Sequence, residues 1–310
     1  MLLESGASRA IDVLGDAWVL RLLRSAFRGT RRFSDFLVQL DVSRAVLSDR
    51  LQRMVADQLL VRAAPEGGHA QYRLTERGLD LWGVLLAMWQ WERNHGTGLD
   101  PNAISADRPR PSLIHTECGH PGDPVYACDG CHQPITAFET TIALERIAAS
   151  PAEPVSSSGP SPGLPPRKRY RKAHSDDRHS LPTLLRTYGD RWNTALMAAA
   201  LQGARTFSDF ERLVAIGPTQ LADRLTELQA LGLMRGRQYA GSRQEYRLTR
   251  RAIATYPITL ELMRWGDRWL WHGQAPLPVA HTPCGHVLGA RWRCSGCQQT
   301  LTRQTIAFGA

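Results

Sequence analysis

The chain has 310 residues, 43% of them hydrophobic, and a formal net charge of +9. That length exceeds what one core usually fills, ~250 residues, so two domains are expected. No apolar run approaches the ~20 residues that cross a bilayer, and the opening MLLESGASRA lacks the basic start and apolar stretch of a secretion signal, so the expected place is the cytoplasm, at the nucleoid. The basic charge, almost all arginine, favours a polyanionic partner, nucleic acid before an anionic membrane surface.

The first predicted element is a helix over Ile11–Phe27, with Leu14, Trp18 and Leu22 on one face. A short helix follows near Arg32–Leu40. Next, Leu47, Leu51 and Met54 recur at helical spacing behind Ser43, a candidate N-cap. A longer helix followed by two short ones with a tight turn between them is a helix-turn-helix arrangement. Two extended runs, LLVRAA and AQYRLT, then flank Gly67-Gly68, which suit a hairpin turn. Thr75 can cap a last helix carrying Leu81, Leu85, Leu86 and Trp89. The order helix, helix, helix, hairpin, helix is that of a winged helix-turn-helix.

Beyond this unit lies HTECGHPGDPVYACDGC, residues 115–131, and the pattern returns as HTPCGHVLGARWRCSGC at 281–297. Between the two, a Pro/Ser/Gly-rich stretch reads as a linker, with the basic cluster Arg167–Lys172 either gripping phosphate or only keeping the linker soluble. The winged unit then repeats. FSDF at 33 recurs at 207, YRLT at 72 recurs at 246, and Trp18, Leu47 and Trp91 recur at 192, 221 and 265, always 174 residues later. Five segments are therefore expected: winged units at 1–97 and 181–274, zinc-ribbon-like segments at 98–146 and 275–310, and a linker at 147–180. The fold class is mainly α with small β wings.

All six cysteines fall in the two repeated patterns. His115, Cys118, Cys128 and Cys131 form one expected ligand set, and His281, Cys284, Cys294 and Cys297 form the other. Three thiolates and an imidazole suit tetrahedral Zn2+, and a closed four-ligand site is structural. His120 and His286 compete for the histidine position. Empty thiols or a redox disulfide are the alternative, disfavoured in a reducing compartment.

The segments LGDAWVLRLL, RRFSDF, VSRAVLSDRLQRM and QYRLTERG, with YPITLELMRWGDRW of the second copy, resemble the HxlR family of bacterial transcription regulators. The resemblance implies winged-helix DNA binding by homodimers joined through terminal helices. Two departures stand out. Ser5 lies near the place where many relatives carry a sensing cysteine, so thiol sensing there is not expected. Relatives also tend to have Gly between the recognition helix and the wing; Gly232 keeps it, whereas the first copy has Gln58, which costs about 1 kcal/mol if positive φ is needed.

On double-stranded DNA, the helix behind Ser43 belongs in the major groove. Ser43, Arg44, Ser48 and Gln52 face outward there, with Arg44 suited to guanine and Gln52 to adenine. Arg50 meets a phosphate or a local carboxylate. Arg31 and Arg32 are phosphate candidates, and His69 and Arg243 lie on the wings. In the second copy, Arg205, Thr219, Gln220 and Arg224 fill the corresponding roles. Because the outward residues differ between copies, including Arg53 against Glu227, the expected agent is a repressor acting as an intrachain pseudo-dimer on two unlike half-sites. A conventional homodimer of chains is the other assembly. A protein-interaction module is the competing function. A zinc enzyme would need an open coordination position and a general base, and no HExxH, Walker or GxSxG element is present. An aromatic effector between helices bearing Trp18, Trp82, Trp89, Trp192 and Trp265 competes with plain core packing of those rings.

Overall fold

A computed structural model describes residues 5–64, 69–96, 112–142, 183–240, 243–271 and 277–308. The expected linker and its basic cluster lie outside the described residues, as do both wing turns, Gly67-Gly68 and Gly241-Ser242.

The first copy runs α1 (Gly6–Leu14), α2 (Ala17–Phe27), α3 (Phe33–Leu40), α4 (Arg44–Ala56), β1 (Leu60–Ala63), β2 (Gln71–Leu74), α5 (Glu76–Leu79) and α6 (Trp82–His95). Each boundary has a local cause. The single helix expected over Ile11–Phe27 is two helices, because Asp16 adopts extended backbone and accepts from the Trp18 amide, starting a new helix. Ser43 caps α4, accepting from Val46 at 3.3 Å. Thr75 caps as expected, but it starts only the single turn of α5, and α6 begins separately at Trp82. Gln58, between α4 and β1, has φ of 58° and Gly232 has φ of 68°, so this junction does require the left-handed region. Leu47, Leu51 and Met54 of α4 close over Leu22, Leu23 and Phe36 in the core.

The second copy repeats this as α7 (Thr183–Tyr188), α8 (Arg191–Leu201), α9 (Phe207–Val214), α10 (Pro218–Ala230), β6 (Met234–Ala240), β7 (Arg243–Leu248), α11 (Arg250–Ile253) and α12 (Tyr256–Leu270). Its wing strands are longer and antiparallel, as in the first copy.

The copies pack on each other through α1, α6 and α12 and through reciprocal contacts. Trp91 Nε1 donates to the Arg251 carbonyl and Trp265 Nε1 to the Arg77 carbonyl, each at 2.9 Å. Arg251 lies over the Trp91 ring and Arg77 over Trp265. Asp16 and Asp190, equivalent residues, form a backbone bridge. Gly6 and Gly266 meet so closely that a Cβ on Gly266 would lie 2.0 Å from the Gly6 carbonyl oxygen, so glycine is required for the α1–α12 crossing. One feature breaks the symmetry. Asp80 receives Arg264 at 3.1 Å and Trp269 Nε1 at 2.8 Å, while the buried Glu261 pairs with Arg264 at 2.9 Å. The equivalents of Asp80, Arg264 and Glu261 are Ala254, Gln90 and Ala87, which cannot form this cluster.

The six remaining strands are β3 (Leu113–His115), β4 (Val125–Cys128), β5 (Thr140–Ile142), β8 (Val279–His281), β9 (Ala290–Arg293) and β10 (Ile306–Phe308). They do not build two separate ribbons. Each pairs antiparallel with a strand of the other copy: β3 with β10, β4 with β9 and β5 with β8. Tyr126 and Trp292 stack at the β4–β9 crossing, 4.8 Å between ring centroids.

Candidate nucleic-acid interface and metal centres

On α4, Arg44, Ala45 and Gln52 are exposed and Ser48 is half-buried; on α10, Pro218, Thr219, Gln220 and Asp223 are exposed. Exposed Ser43, Arg32 and His69 also remain available as expected. The side chain of Arg243 lies outside the described residues.

Four predicted arginines are engaged inward instead. Arg50 is buried, its Nε 2.9 Å from Asp16, and also meets Asp49. Arg224 repeats the arrangement, 2.8 Å from Asp190 and 2.9 Å from Glu227. Of the two partners expected for Arg50, the local carboxylate is the one it meets: the helix-starting aspartate is tied to the middle of the recognition helix. Arg31 turns its guanidinium onto the carbonyls of Ala26 and Thr30, and Arg205 onto those of Ala200 and Ala204, both 2.9 Å. At Ala26 and Ala200 these cations satisfy carbonyls in the last turn of the preceding helix. The change from Arg53 to Glu227 is also not part of an outward face. Arg53 donates to the Asp12 carbonyl at 2.6 Å, and Glu227 pairs with Arg186 at 3.2 Å. Asp12 and Arg186 are equivalent, so the same two positions meet in each copy, through the Asp12 backbone carbonyl in the first and through a side-chain ion pair in the second.

Exposed arginines that sequence reasoning passed over lie on the wing strands: Arg62 and Arg73 in the first copy, Arg235 and Arg237 in the second. Alternation along a strand could have marked them. The N-termini of α3 and α9 also differ. Thr206 and Asp209 form a capping box on α9, and the Thr206 and Arg205 amides hold the Asp209 carboxyl below its usual range. Arg32 offers α3 no side-chain cap.

The eight expected metal ligands all come together, in a different grouping from the one the sequence order suggests. His115 and Cys118 join Cys294 and Cys297; Cys128 and Cys131 join His281 and Cys284. The ligand atoms of each group lie within 4.8 Å of one another. The regrouping follows from strand exchange, since β4–β9 pairing lays each Cys-x2-Cys loop beside the other copy's His-x2-Cys loop. His115 and His281 are fully buried, with Nδ1 3.2–3.3 Å from thiols of both copies. His120 and His286 are exposed and do not join the groups.

The donors fit a tetrahedral ion. Zn–S bonds near 2.3 Å put two tetrahedral thiolates about 3.8 Å apart. The observed Sγ–Sγ distances are 3.7 Å for Cys118–Cys294 and 3.8 Å for Cys128–Cys284. Gly119 and Gly285 both have φ of 69°, which shapes the loop after the first cysteine. The thiols split by loop: the Gln133 amide holds Cys131 below its ordinary value and, although burial opposes it, the Cys297 and Gly296 amides do the same for Cys294, whereas Cys118 and Cys284, despite the His120 and His286 amides, are raised by burial and the neighbouring thiols. The His115 Nε2, turned away from the thiols, lies 3.6 Å from Glu117.

Near α4, Trp18, Leu22, Leu40, Val42, Val46, Leu47 and Arg50 line a shallow crevice with no room for a ligand. Trp265 is core, and Trp18 and Trp192 are covered by Arg21 and Arg191. Among the described residues no helix is long and apolar enough to cross a membrane.

The chain is 34% identical over 137 residues to HTH-type transcriptional regulators of Mycobacterium bovis and Mycobacterium tuberculosis, themselves described as uncharacterised; the match takes in 43% of this chain and 81% of theirs. It is similar to the crystal structure of a candidate transcription factor at 29% identity, covering 44% of this chain and 91% of that one, with a TM-score of 0.38. A candidate transcription factor of Pseudomonas aeruginosa matches at 26% identity over 44% of this chain and 89% of its own, with a TM-score of 0.30. The model of the HxlR-like helix-turn-helix family matches residues 13–98 and 187–274, one match per copy and more than half the chain together. By that double match the protein belongs to the HxlR-like helix-turn-helix family.

Proposed function

We propose that the chain is a non-enzymatic, sequence-specific transcriptional repressor whose two copies act as a pseudo-dimer on two unlike half-sites of double-stranded DNA. The observation that carries this reading is a contrast within equivalent helices. The buried faces of α4 and α10 keep leucine at 47/221 and 51/225, while the exposed faces differ, Arg44, Ala45 and Ser48 standing against Pro218, Thr219 and Ala222. Selection for packing explains the first; a different base sequence under each helix explains the second. Arg44 would read guanine and Gln52 adenine, with Thr219 and Gln220 reading the other arm. Arg32 and the wing arginines would hold phosphates, positioning the heads without specifying sequence. Two heads seated on a promoter exclude polymerase, which makes repression the expected sign.

Two structural zinc ions complete the reading, one for each group of three cysteines and a histidine. Zinc there would fix the fold of the strand cluster, its four protein ligands leaving no position for a substrate.

The test is titration of the full chain with duplex DNA from upstream of its own coding region, over a salt series. Affinity should fall linearly with salt on logarithmic axes, and Arg44→Ala should weaken binding by about 1–3 kcal/mol. Salt-independent binding, or none, would favour the protein-interaction reading.

A further inference from the structure

The zinc reading treats the two metal groups as separate structural sites. Their composition says more. We infer that each ion is held jointly by both copies and is a staple between the two heads, so that metal occupancy sets DNA avidity. The inference rests on the zinc and DNA readings above.

Three features of one crossing support joint holding. The first is ligand origin: each group takes one His and one Cys from one copy and two Cys from the other. The second is the strand exchange, in which β3, β4 and β5 all find their partners in the other copy. The third is side-chain interdigitation outside the ligands. A Cβ on Gly296 would lie 2.5 Å from the His120 ring, and one on Gly130 would lie 2.8 Å from the His286 ring. Each of these glycines sits between the cysteines of a Cys-x2-Cys loop and admits the imidazole that follows the other copy's Cys-Gly. His120 and His286, set aside as ligands, thus pack across the crossing.

The consequence is mechanical. An ion confined to one copy would close a loop of under twenty residues, whereas a shared ion joins residues 176 or 156 positions apart, as in Cys118–Cys294 and Cys128–Cys284. Loop-closure cost grows with the logarithm of the span, so a shared ion restrains the chain more than a local one. It also tethers the heads to each other through β3 and β8, which follow α6 and α12 in the chain. The packing of α1, α6 and α12 already joins the heads; the shared ions would fix their relation further, which raises the avidity for two half-sites at a set spacing.

Metal stoichiometry of double variants distinguishes the arrangements. Wild-type full-length chain, purified with zinc and analysed on the folded fraction from gel filtration, should carry two ions, one for each group. With joint holding, Cys118→Ser with Cys297→Ser disables one group and leaves about one ion. Cys118→Ser with Cys131→Ser strikes both groups and leaves markedly less than one. With copy-confined sites the two results exchange, which would overturn the inference while leaving zinc binding intact. A wild-type protein without metal would overturn the zinc reading as well. If a Ser variant yields too little folded protein, the Ala variant takes its place. Chelator-stripped wild type should bind the upstream duplex at least tenfold more weakly than the zinc-loaded form. Equal affinities would overturn the staple role, whatever the stoichiometry.

Discussion

Arg44 and Arg50 stand six positions apart on one helix and do different work. Arg44 is exposed at the first turn, whereas Arg50 is buried against Asp16. Arg50→Ala would strand a carboxylate that is only 10% exposed, so it should cost about 3 kcal/mol or more in a denaturant melt. Arg44→Ala should change stability by less than about 0.5 kcal/mol and act on DNA affinity alone. A second residue-scale expectation concerns Gln58. At φ of 58° it should be improved by Gln58→Gly, raising stability by up to about 1 kcal/mol, and Gly232→Ala should lower it comparably. The sign of each shift in thermal midpoint checks the pair. Residues with local chemistry were legible in the sequence: the caps Ser43 and Thr75, the Gln58 departure and which cysteines and histidines cluster. Arg50 was legible only as a choice between a phosphate and a carboxylate, because its partner lies 34 positions away and an arginine on such a helix looks the same whether it faces a phosphate or an aspartate.

Among elements, patterns within a single stretch were readable and pairings between stretches were not. Apolar spacing located α2, α4, α8 and α10, and turn chemistry located the wings. The break at Gly15-Asp16 was missed because apolar periodicity runs across it. The strand exchange was missed for a physical reason: a duplicated motif offers each strand two chemically equivalent partners, and only packing of the heads decides between them. The α1–α12 crossing supplies a pH prediction. Burial raises the Asp267 carboxyl to about 6, opposed by the Gly6 amide, and its Oδ1 is buried with no hydrogen-bond partner among the described residues. The folded chain therefore holds this proton more tightly than the unfolded chain does. Stability from this group is present at low pH and is lost as pH rises from about 4 to about 6, by on the order of 2 kcal/mol. Asp267→Asn should flatten that part of the stability–pH curve; an unchanged slope would show that the group titrates normally.

At the scale of the molecule, the duplication was plain from one constant offset, but its meaning needed the fold. The copies are not two beads on a string. They share helix crossings, reciprocal tryptophan hydrogen bonds and the metal-ligand groups, and the Asp80–Arg264–Glu261 cluster exists on one side only. Self-pairing of either copy would lose that cluster: two first copies would set Asp80 against Gln90, and two second copies would set Arg264 against Ala254. The chain thus encodes an ordered pair of unlike heads, as the proposed reading of two unlike half-sites would require. Hydroxyl-radical footprinting of the full chain on its own upstream DNA tests this most directly. The account predicts two protected arms of different sequence, with Arg44→Ala erasing contacts in one arm and Gln220→Ala in the other. A perfect palindrome in which Arg44→Ala weakens both arms equally would contradict it.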